Sequence, residues 1–269
     1  MKKIEQKDLF ELKNVGQPVV AGDAFFFTET KMNEKKNTYE TAIYKYTVDG
    51  NVAYGDEGTV NSSLKVSPDG KWISFISNAG EEKTPQLKIQ SVHGGKAIAL
   101  TEEKKGVSSY VWAKDSKSIV FQTTKPEEEE KKEEFPQPII VEKTTYRFDG
   151  GSFLPNKETT QIKQVEVATK EVKTLFETED SILFRDVLHD GGSLVVDRDL
   201  SNIRWTLDSA EACYVDVATG DIHPILEAGT NESYRYMLDS KEGVVLAYNS
   251  GEHGFVTQGD ILFNKEGQP

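Results

Sequence analysis

The residue types that most often perform catalysis or bind metals are sparse in this sequence. The four histidines are spread along the chain at His93, His189, His223 and His253, and none lies four residues from another or pairs with the single cysteine. His93 and His189 fall in predicted hairpin turns, where an exposed imidazole needs no functional explanation. A zinc site therefore has little support, and we predict no bound metal.

Nucleophilic catalysis and phosphate binding lack their motifs as well. The chain contains no Gly-x-Ser-x-Gly nucleophile elbow. Its glycine pairs at 94–95, 150–151 and 191–192 fit turns, and none has the spacing of a P-loop or a following Lys-Ser/Thr. We predict no cofactor and no catalytic residue in this chain. One charged group remains, Asp197-Arg198-Asp199 with Arg204. It fits a substrate clamp or a solvated ion-pair cluster at a strand end, and the second interpretation is favoured.

The elements that would position such residues are revealed by a repeated hairpin. In the stretch from Val66 to Ile76, Pro68-Asp69-Gly70 forms a tight turn between two strand-like segments. Phe75 of this stretch has counterparts at Phe27, Phe121, Val196 and Leu246, with steps of 48, 46 and 50 residues wherever no insertion intervenes. A second hairpin keeps the same phase near 46–50, 90–95, 166–170 and 216–220.

Two hairpins per period of roughly 40–50 residues indicate a blade of four strands. The sequence therefore predicts an all-β fold, a β-propeller of four-stranded antiparallel blades over 1–269. About five blades are begun, which is incomplete relative to a seven-bladed ring. A β-sandwich is the alternative, but coincidental turns would not keep two motifs in phase. We also expect an N-terminal arm at 1–14 and an inserted loop at 123–161 in blade three, opening with the charged run at 126–134.

The innermost strand of each blade lines the central channel of a propeller. In the predicted register these strands lie near 63–66, 109–112, 184–187 and 233–237. Period-2 alternation turns about half of their side chains toward the channel. The candidate channel-lining residues are Lys65, Tyr110, Arg185, Asp186, Tyr234 and Arg235.

The composition of the chain argues against several classes of binding partner. The formal net charge of −13 argues against nucleic acid and against an anionic membrane surface. No apolar run approaches the length of a transmembrane helix, and the lysines at the start precede no apolar secretory core. The lone Cys213 is expected to be an inert core thiol, which is consistent with a cytoplasmic location.

Several motifs together resemble a known family. The opening Asp8-Leu9-Phe10-Glu11-Leu12-Lys13, the Ser-Pro-Asp-Gly-Lys blade motif and Tyr146-Arg147-Phe148-Asp149-Gly150 are similar to acylaminoacyl-peptidase-like members of the prolyl oligopeptidase family of serine peptidases. The resemblance spans essentially the whole chain. It implies an N-terminal propeller that caps a C-terminal α/β-hydrolase domain, which is absent from this chain. The chain would then be a fragment that is inactive alone.

The resemblance also implies a function and its partners. We expect the propeller to restrict which short peptides reach a serine peptidase site. The alternative is a stand-alone scaffold for protein interaction, like the TolB-type propellers. A propeller glycosidase is disfavoured, because only Asp186 is well placed for it. Association of copies through exposed blade faces is a further expectation. The insertion is expected at the interface with the hydrolase domain, with Tyr146, Arg147, Phe148 and Phe153 as interface residues.

Overall fold

The protein is built almost entirely of β-strands. The computed structural model describes residues 3, 5–57, 59–80, 83–126, 138, 140–142, 158–188, 193–201, 209–229, 232–240, 243–250 and 258–263. Within these residues the first element is a 3-10 helix at Gln6–Glu11, and strand β1 follows directly. No helix in the described part of the chain is long and apolar enough to cross a membrane.

The first two sheets are four-stranded antiparallel blades. In both, the strands pair in the order in which they occur in the sequence. Blade one contains β1 (Lys13–Ala21), β2 (Ala24–Asn33), β3 (Thr38–Tyr46) and β4 (Val52–Tyr54). Blade two contains β5 (Asn61–Val66), β6 (Trp72–Ser77), β7 (Gln86–Ser91) and β8 (Ile98–Ala99).

The remaining strands continue the same pattern. Blade three contains β9 (Val107–Trp112), β10 (Ser118–Thr124), β11 (Thr160–Glu166) and β12 (Val172–Thr178). Blade four contains β13 (Ile182–Val187), β14 (Ser193–Asp199), β15 (Ala210–Asp216) and β16 (Ile222–Pro224). The fifth has three strands in the described residues, β17 (Glu232–Ser240), β18 (Gly243–Ser250) and β19 (Gln258–Phe263). The predicted all-β fold of four-stranded antiparallel blades is confirmed.

The chain divides into two compact units. One comprises residues 1–108, 112–119 and 165–172, and the other comprises 109–111, 120–164 and 173–269. The core of the first packs Phe26, Ile43, Ile73 and Phe75 between the sheets of blades one and two. Among the described residues of the second unit, one cluster is centred on Ile162, Val196 and Val215, and another on Val195, Tyr236 and Leu246.

The hairpin turns form at the residues where the sequence predicts them. In blade two, Ser67 N–H donates to Trp72 O (2.9 Å) and Gly70 N–H donates to Ser67 O (2.8 Å). Gly70 has φ +72°, a conformation that costs glycine nothing. Blade three repeats the turn with Ser116 in the glycine position, at φ +60°. All five aligned apolar residues fall in the second strands and are buried, which is why the repeat was visible in the sequence.

Successive blades within a unit are joined through their backbones. In the first unit, Thr41 of β3 forms a parallel bridge with Val60, just before β5. In the second, Ala210 of β15 forms a parallel bridge with Ser233 of β17. Each bridge links the third strand of one blade to the start of the first strand of the next, so the blades follow one another by a repeated contact.

The long segment in blade three begins after Thr124 and ends at Thr160. At its foot Lys125 N–H donates to Thr159 O, at 2.8 Å. The side chain of Lys125 also pairs with Glu177 on β12. The predicted interface residues Tyr146, Arg147, Phe148 and Phe153 lie outside the described residues. Their placement at a domain interface stays a prediction.

Candidate functional site

In blades one, two, four and five the first strand carries a β-bulge. One extra residue is accommodated between Gly16 and Val19, between Ser62 and Lys65, between Phe184 and Asp186, and between Tyr236 and Leu238. A bulge bends the strand and changes the direction of the side chains beside it. The polar residues of the site described below lie at or next to the bulges of blades four and five.

The site is centred on a buried carboxylate. Asp197 of β14 is only 3% exposed. Its Oδ2 accepts a hydrogen bond from Arg185 Nε at 2.6 Å, and its Oδ1 accepts one from the backbone N–H of Tyr236 at 2.8 Å. Arg185 is the bulge residue of β13, and Tyr236 precedes the bulge of β17. Asp197 therefore connects the first strands of two successive blades.

A second carboxylate lies beside this pair without joining it. Asp186 follows Arg185 on β13, and its Oδ2 accepts a hydrogen bond from the hydroxyl of Tyr236 at 2.7 Å. Its Oδ1 accepts one from the backbone N–H of Val187 at 2.8 Å. Tyr236 thus binds Asp197 through its backbone and Asp186 through its side chain. Each oxygen of the two carboxylates has a donor.

The environment of Asp197 opposes its ionisation. Burial raises the pKa of the Asp197 carboxyl above its ordinary value, and this effect exceeds all others. The Tyr236 N–H, the Arg185 guanidinium and the charge of Arg235 act in the opposite direction, toward a lower pKa. The fold thus keeps a charged group where a neutral acceptor would be cheaper to bury.

The repeat supplies a neutral counterpart for comparison. Gln122 follows Phe121 in blade three as Asp197 follows Val196 in blade four. Gln122 Oε1 accepts a hydrogen bond from Phe184 N–H at 2.6 Å, and Phe184 precedes the bulge of β13 as Tyr236 precedes that of β17. The Gln122 amide also returns a hydrogen bond to Ile182 O at 3.2 Å. At this position the fold requires an oxygen acceptor, not a charge.

The six predicted channel residues have unequal environments. Arg185 and Asp186 are half-buried and belong to the site described above. Lys65 and Arg235 are exposed, whereas Tyr110 (1% exposed) and Tyr234 (8% exposed) are buried. The ring of Tyr234 stacks on Tyr248 with 4.9 Å between centroids. The assignment of these side chains to a channel stays a prediction.

The charged motif at 197–199 does not act as one group. Asp197 is buried against Arg185, so it is not part of a solvated ion-pair cluster. Arg198 Nη2 instead pairs with Asp180 at 3.0 Å. Asp199 accepts hydrogen bonds from the backbone and hydroxyl of Ser201. Arg204, the fourth residue of the proposed cluster, lies outside the described residues.

Sequence reasoning missed two members of the site. Tyr236 was not singled out, and Asp197 was not connected with Arg185. A usable signal existed for Asp197, because aligning the repeats places it over Gln122. Within the described residues no cluster of three histidine, cysteine or acidic side chains could hold a metal ion.

The chain is similar to known peptidases in sequence and in fold. No family model matches the sequence. A Bacillus subtilis (strain 168) protein described as the uncharacterized peptidase YuxL is 29% identical over 186 residues, which cover 65% of this chain and 28% of that protein. Among solved structures, the Pyrococcus horikoshii acylaminoacyl peptidase is similar, with a TM-score of 0.72 and 18% identity over 98% of this chain and 40% of its own.

A third similar structure is the β-propeller domain of the Trilobed protease from Pyrococcus furiosus. It has a TM-score of 0.60 and 18% identity, over 94% of this chain and 69% of its own. The chain is thus a β-propeller protein. Its fold is that of the propeller part of acylaminoacyl peptidase, which confirms the resemblance predicted from the motifs. It spans 28% of the length of the curated relative and 40% of that of the P. horikoshii enzyme.

Proposed function

We propose that this chain is the N-terminal propeller part of a serine peptidase of the acylaminoacyl-peptidase type, and that it controls which peptides reach a catalytic α/β-hydrolase domain. The observation that carries the proposal is the fold match, in which 98% of this chain corresponds to 40% of the P. horikoshii enzyme. The relative described as an uncharacterized peptidase supports the same assignment.

The role of the propeller in this proposal is steric and electrostatic. A channel lined by the first strands admits short, extended peptides and excludes folded proteins, so only small substrates meet the hydrolase site. The polar groups of β13 and β17 are available to contact such a peptide, since Arg185 and Asp186 are half-buried and Arg235 is exposed. The cytoplasm is the proposed location, since Cys213 is a free, buried thiol.

The proposal is tested on the native gene product. An antibody raised against recombinant 1–269 would retrieve the protein from the source cells. We expect the retrieved protein to react with a fluorophosphonate probe and to hydrolyse acetyl-alanine p-nitroanilide. Recombinant 1–269 is the matched control, and we expect neither labelling nor turnover from it. Native material that binds other proteins but never reacts with the probe would instead support the scaffold alternative.

Substrate size provides a second measurement. Hydrolysis by the native protein of acetylated peptides of increasing length should fall steeply once the peptide exceeds a short extended segment. Equal rates on a short peptide and on the same sequence within a folded domain would contradict the gating role.

Self-association through a blade face is also proposed. On one face of blade one, Val20, Phe25 and Tyr46 lie side by side across β1–β3 and are 65%, 38% and 58% exposed. Such a face gives a second copy an apolar contact surface. Sedimentation of Phe25→Ser beside the unchanged chain tests this. A chain that is monomeric at high concentration would contradict it.

A further inference from the structure

The guanidinium of Arg185 uses only part of its hydrogen-bonding capacity. Its Nε donates to Asp197, and this is its only hydrogen bond or ion pair within the part of the chain that the structure describes. The side chain remains 32% exposed, so solvent and ligands can reach it. Arginine presents two further donor groups in a fixed plane, which matches the geometry of a carboxylate.

The neighbouring carboxylates do not occupy those donors. Asp197 has one oxygen on Arg185 Nε and the other on the Tyr236 backbone. Asp186 has its oxygens on the Tyr236 hydroxyl and the Val187 backbone. The acceptors of the cluster are therefore satisfied, whereas no described residue accepts a hydrogen bond from the Nη groups of Arg185.

The comparison with blade three shows that the charge pair is not required by the fold. Gln122 accepts the equivalent backbone N–H with a neutral amide. In blade four the same task is performed by a buried carboxylate, which holds an arginine in place at a cost in desolvation. Because a carboxylate stands where blade three has an amide, the Nε group of Arg185 is held by Asp197 while its side chain stays 32% exposed.

The arginines of this chain are confined to its second half. All five arginines lie between 147 and 235, although most lysines precede them. Arg235, exposed on β17, is close enough to act on the ionisation of Asp197. Two guanidinium groups thus lie on the first strands of successive blades. With Asp186 and Asp197 beside them the cluster has no net formal charge, so an anion meets less repulsion here than from the chain as a whole, whose net charge is −13.

We infer that Arg185, held by Asp197 and flanked by Arg235, forms a carboxylate-binding site on the first strands of blades four and five, and that its ligand is the C-terminal carboxylate of a short peptide. The inference rests on the proposed function and extends it by naming the group of the substrate that the propeller recognises. Binding of a peptide's end by a fixed arginine selects short chains by chemistry as well as by size. A glutamate or aspartate side chain carries the same chemical group, and the test separates the two sources.

The test is direct binding of three probes to recombinant 1–269 by calorimetry. The probes are acetyl-Ala-Ala-Ala with a free C-terminus, the same peptide as its amide, and acetyl-Ala-Glu-Ala amide. We expect the free acid to bind about tenfold more tightly than either amide, the usual effect of one charge-assisted bidentate contact. Equal affinity for all three probes would overturn the inference. Tight binding of the glutamate amide would overturn its assignment to the C-terminus.

Variants test whether the preference for the free acid depends on Arg185. Arg185→Gln combined with Asp197→Asn recreates the neutral arrangement of blade three and leaves no unpaired buried charge. It should fold and lose the preference for the free acid. Arg185→Lys keeps the charge without the planar donors and should lose most of it. Arg198→Gln is the matched control, with the same loss of charge on β14 at a residue that pairs with Asp180, and should keep the preference.

The outcomes distinguish this inference from the proposed function. If the native protein reacts with the fluorophosphonate probe while 1–269 does not distinguish the free acid from the amide, only the inference fails. If 1–269 distinguishes them through Arg185 but the native protein never reacts with the probe, the peptidase assignment fails.

Discussion

Removing the charge of Asp197 and removing its oxygen acceptor should affect stability differently. Asp197→Asn keeps an oxygen for the Tyr236 N–H, which is bonded at 2.8 Å. It also removes the cost of burying a carboxylate, and Arg185, a third exposed, can be hydrated. We therefore expect a change of less than about 1 kcal/mol in the free energy of unfolding.

Asp197→Ala removes the acceptor as well. The backbone N–H of Tyr236, in a residue only 7% exposed, then lacks a partner. A buried unsatisfied donor costs about 1–3 kcal/mol, and the lost pair with the partly exposed Arg185 adds up to about 1 kcal/mol. The expected loss is about 1–4 kcal/mol. Gln122→Ala should cost about 1–3 kcal/mol for the same reason, at the N–H of Phe184.

Urea unfolding would measure the stabilities, and hydrogen exchange at the Tyr236 and Phe184 amides would report the local bonds. The Tyr236 amide should exchange faster in Asp197→Ala and stay protected in Asp197→Asn. The pH dependence has a definite sign. Because the pKa of Asp197 is raised in the fold, its ionisation costs stability as pH rises through that pKa. The aspartate protein should thus weaken relative to Asp197→Asn above the acid range. Equal destabilisation by Asn and Ala would refute this reasoning.

Three further outcomes follow from the described contacts. Gly106→Ala should destabilise by about 1–2 kcal/mol more than Gly70→Ala in urea unfolding, because both glycines have positive φ but a Cβ at Gly106 would lie 2.9 Å from a backbone oxygen. Cys213 should resist iodoacetamide at pH 8 until urea is added, since burial raises its pKa to about 12; rapid labelling of the folded chain would contradict this. Hydrogen bonding from the Gln161 amide, with help from a lysine, lowers the pKa of Glu177, so this carboxylate favours the fold above its ordinary pKa and ceases to do so as pH falls through the lowered value. Gln161→Ala should therefore shift the onset of acid unfolding to higher pH, as thermal melts across the acid range would record.

The architecture could be predicted because the signals for it are local. A turn such as Ser67–Trp72 is specified by the few residues within it. Residues such as Phe75 and Phe121 repeat because each fills the same position of a second strand, and both are fully buried. Turn chemistry and strand burial are properties of neighbouring residues, so they appear in the sequence at a fixed period.

The site could be predicted only in part, because bulges interrupt the alternation on which the prediction depended. In β13 the extra residue lies between Phe184 and Asp186, so consecutive side chains need not point to opposite faces. Arg185 and Asp186 could therefore both join the same polar site. The bond from Asp197 to Tyr236 joins residues 39 positions apart, and no local pattern reveals it. Tyr110, on a first strand like the others, is instead buried.

A repeat fold contains its own reference for separating structural residues from functional ones. The N–H groups of Phe184 and Tyr236 need the same kind of partner, and Gln122 shows that a neutral side chain suffices. What blade four adds, a buried charge and an arginine with an accessible edge, is not explained by holding blades together. A buried carboxylate whose pKa is raised, paired with an arginine whose Nη groups have no partner among the described residues, is expected where a protein binds something. On that ground the first strands of blades four and five, rather than the equally repeated turns, are where we expect a substrate to be recognised.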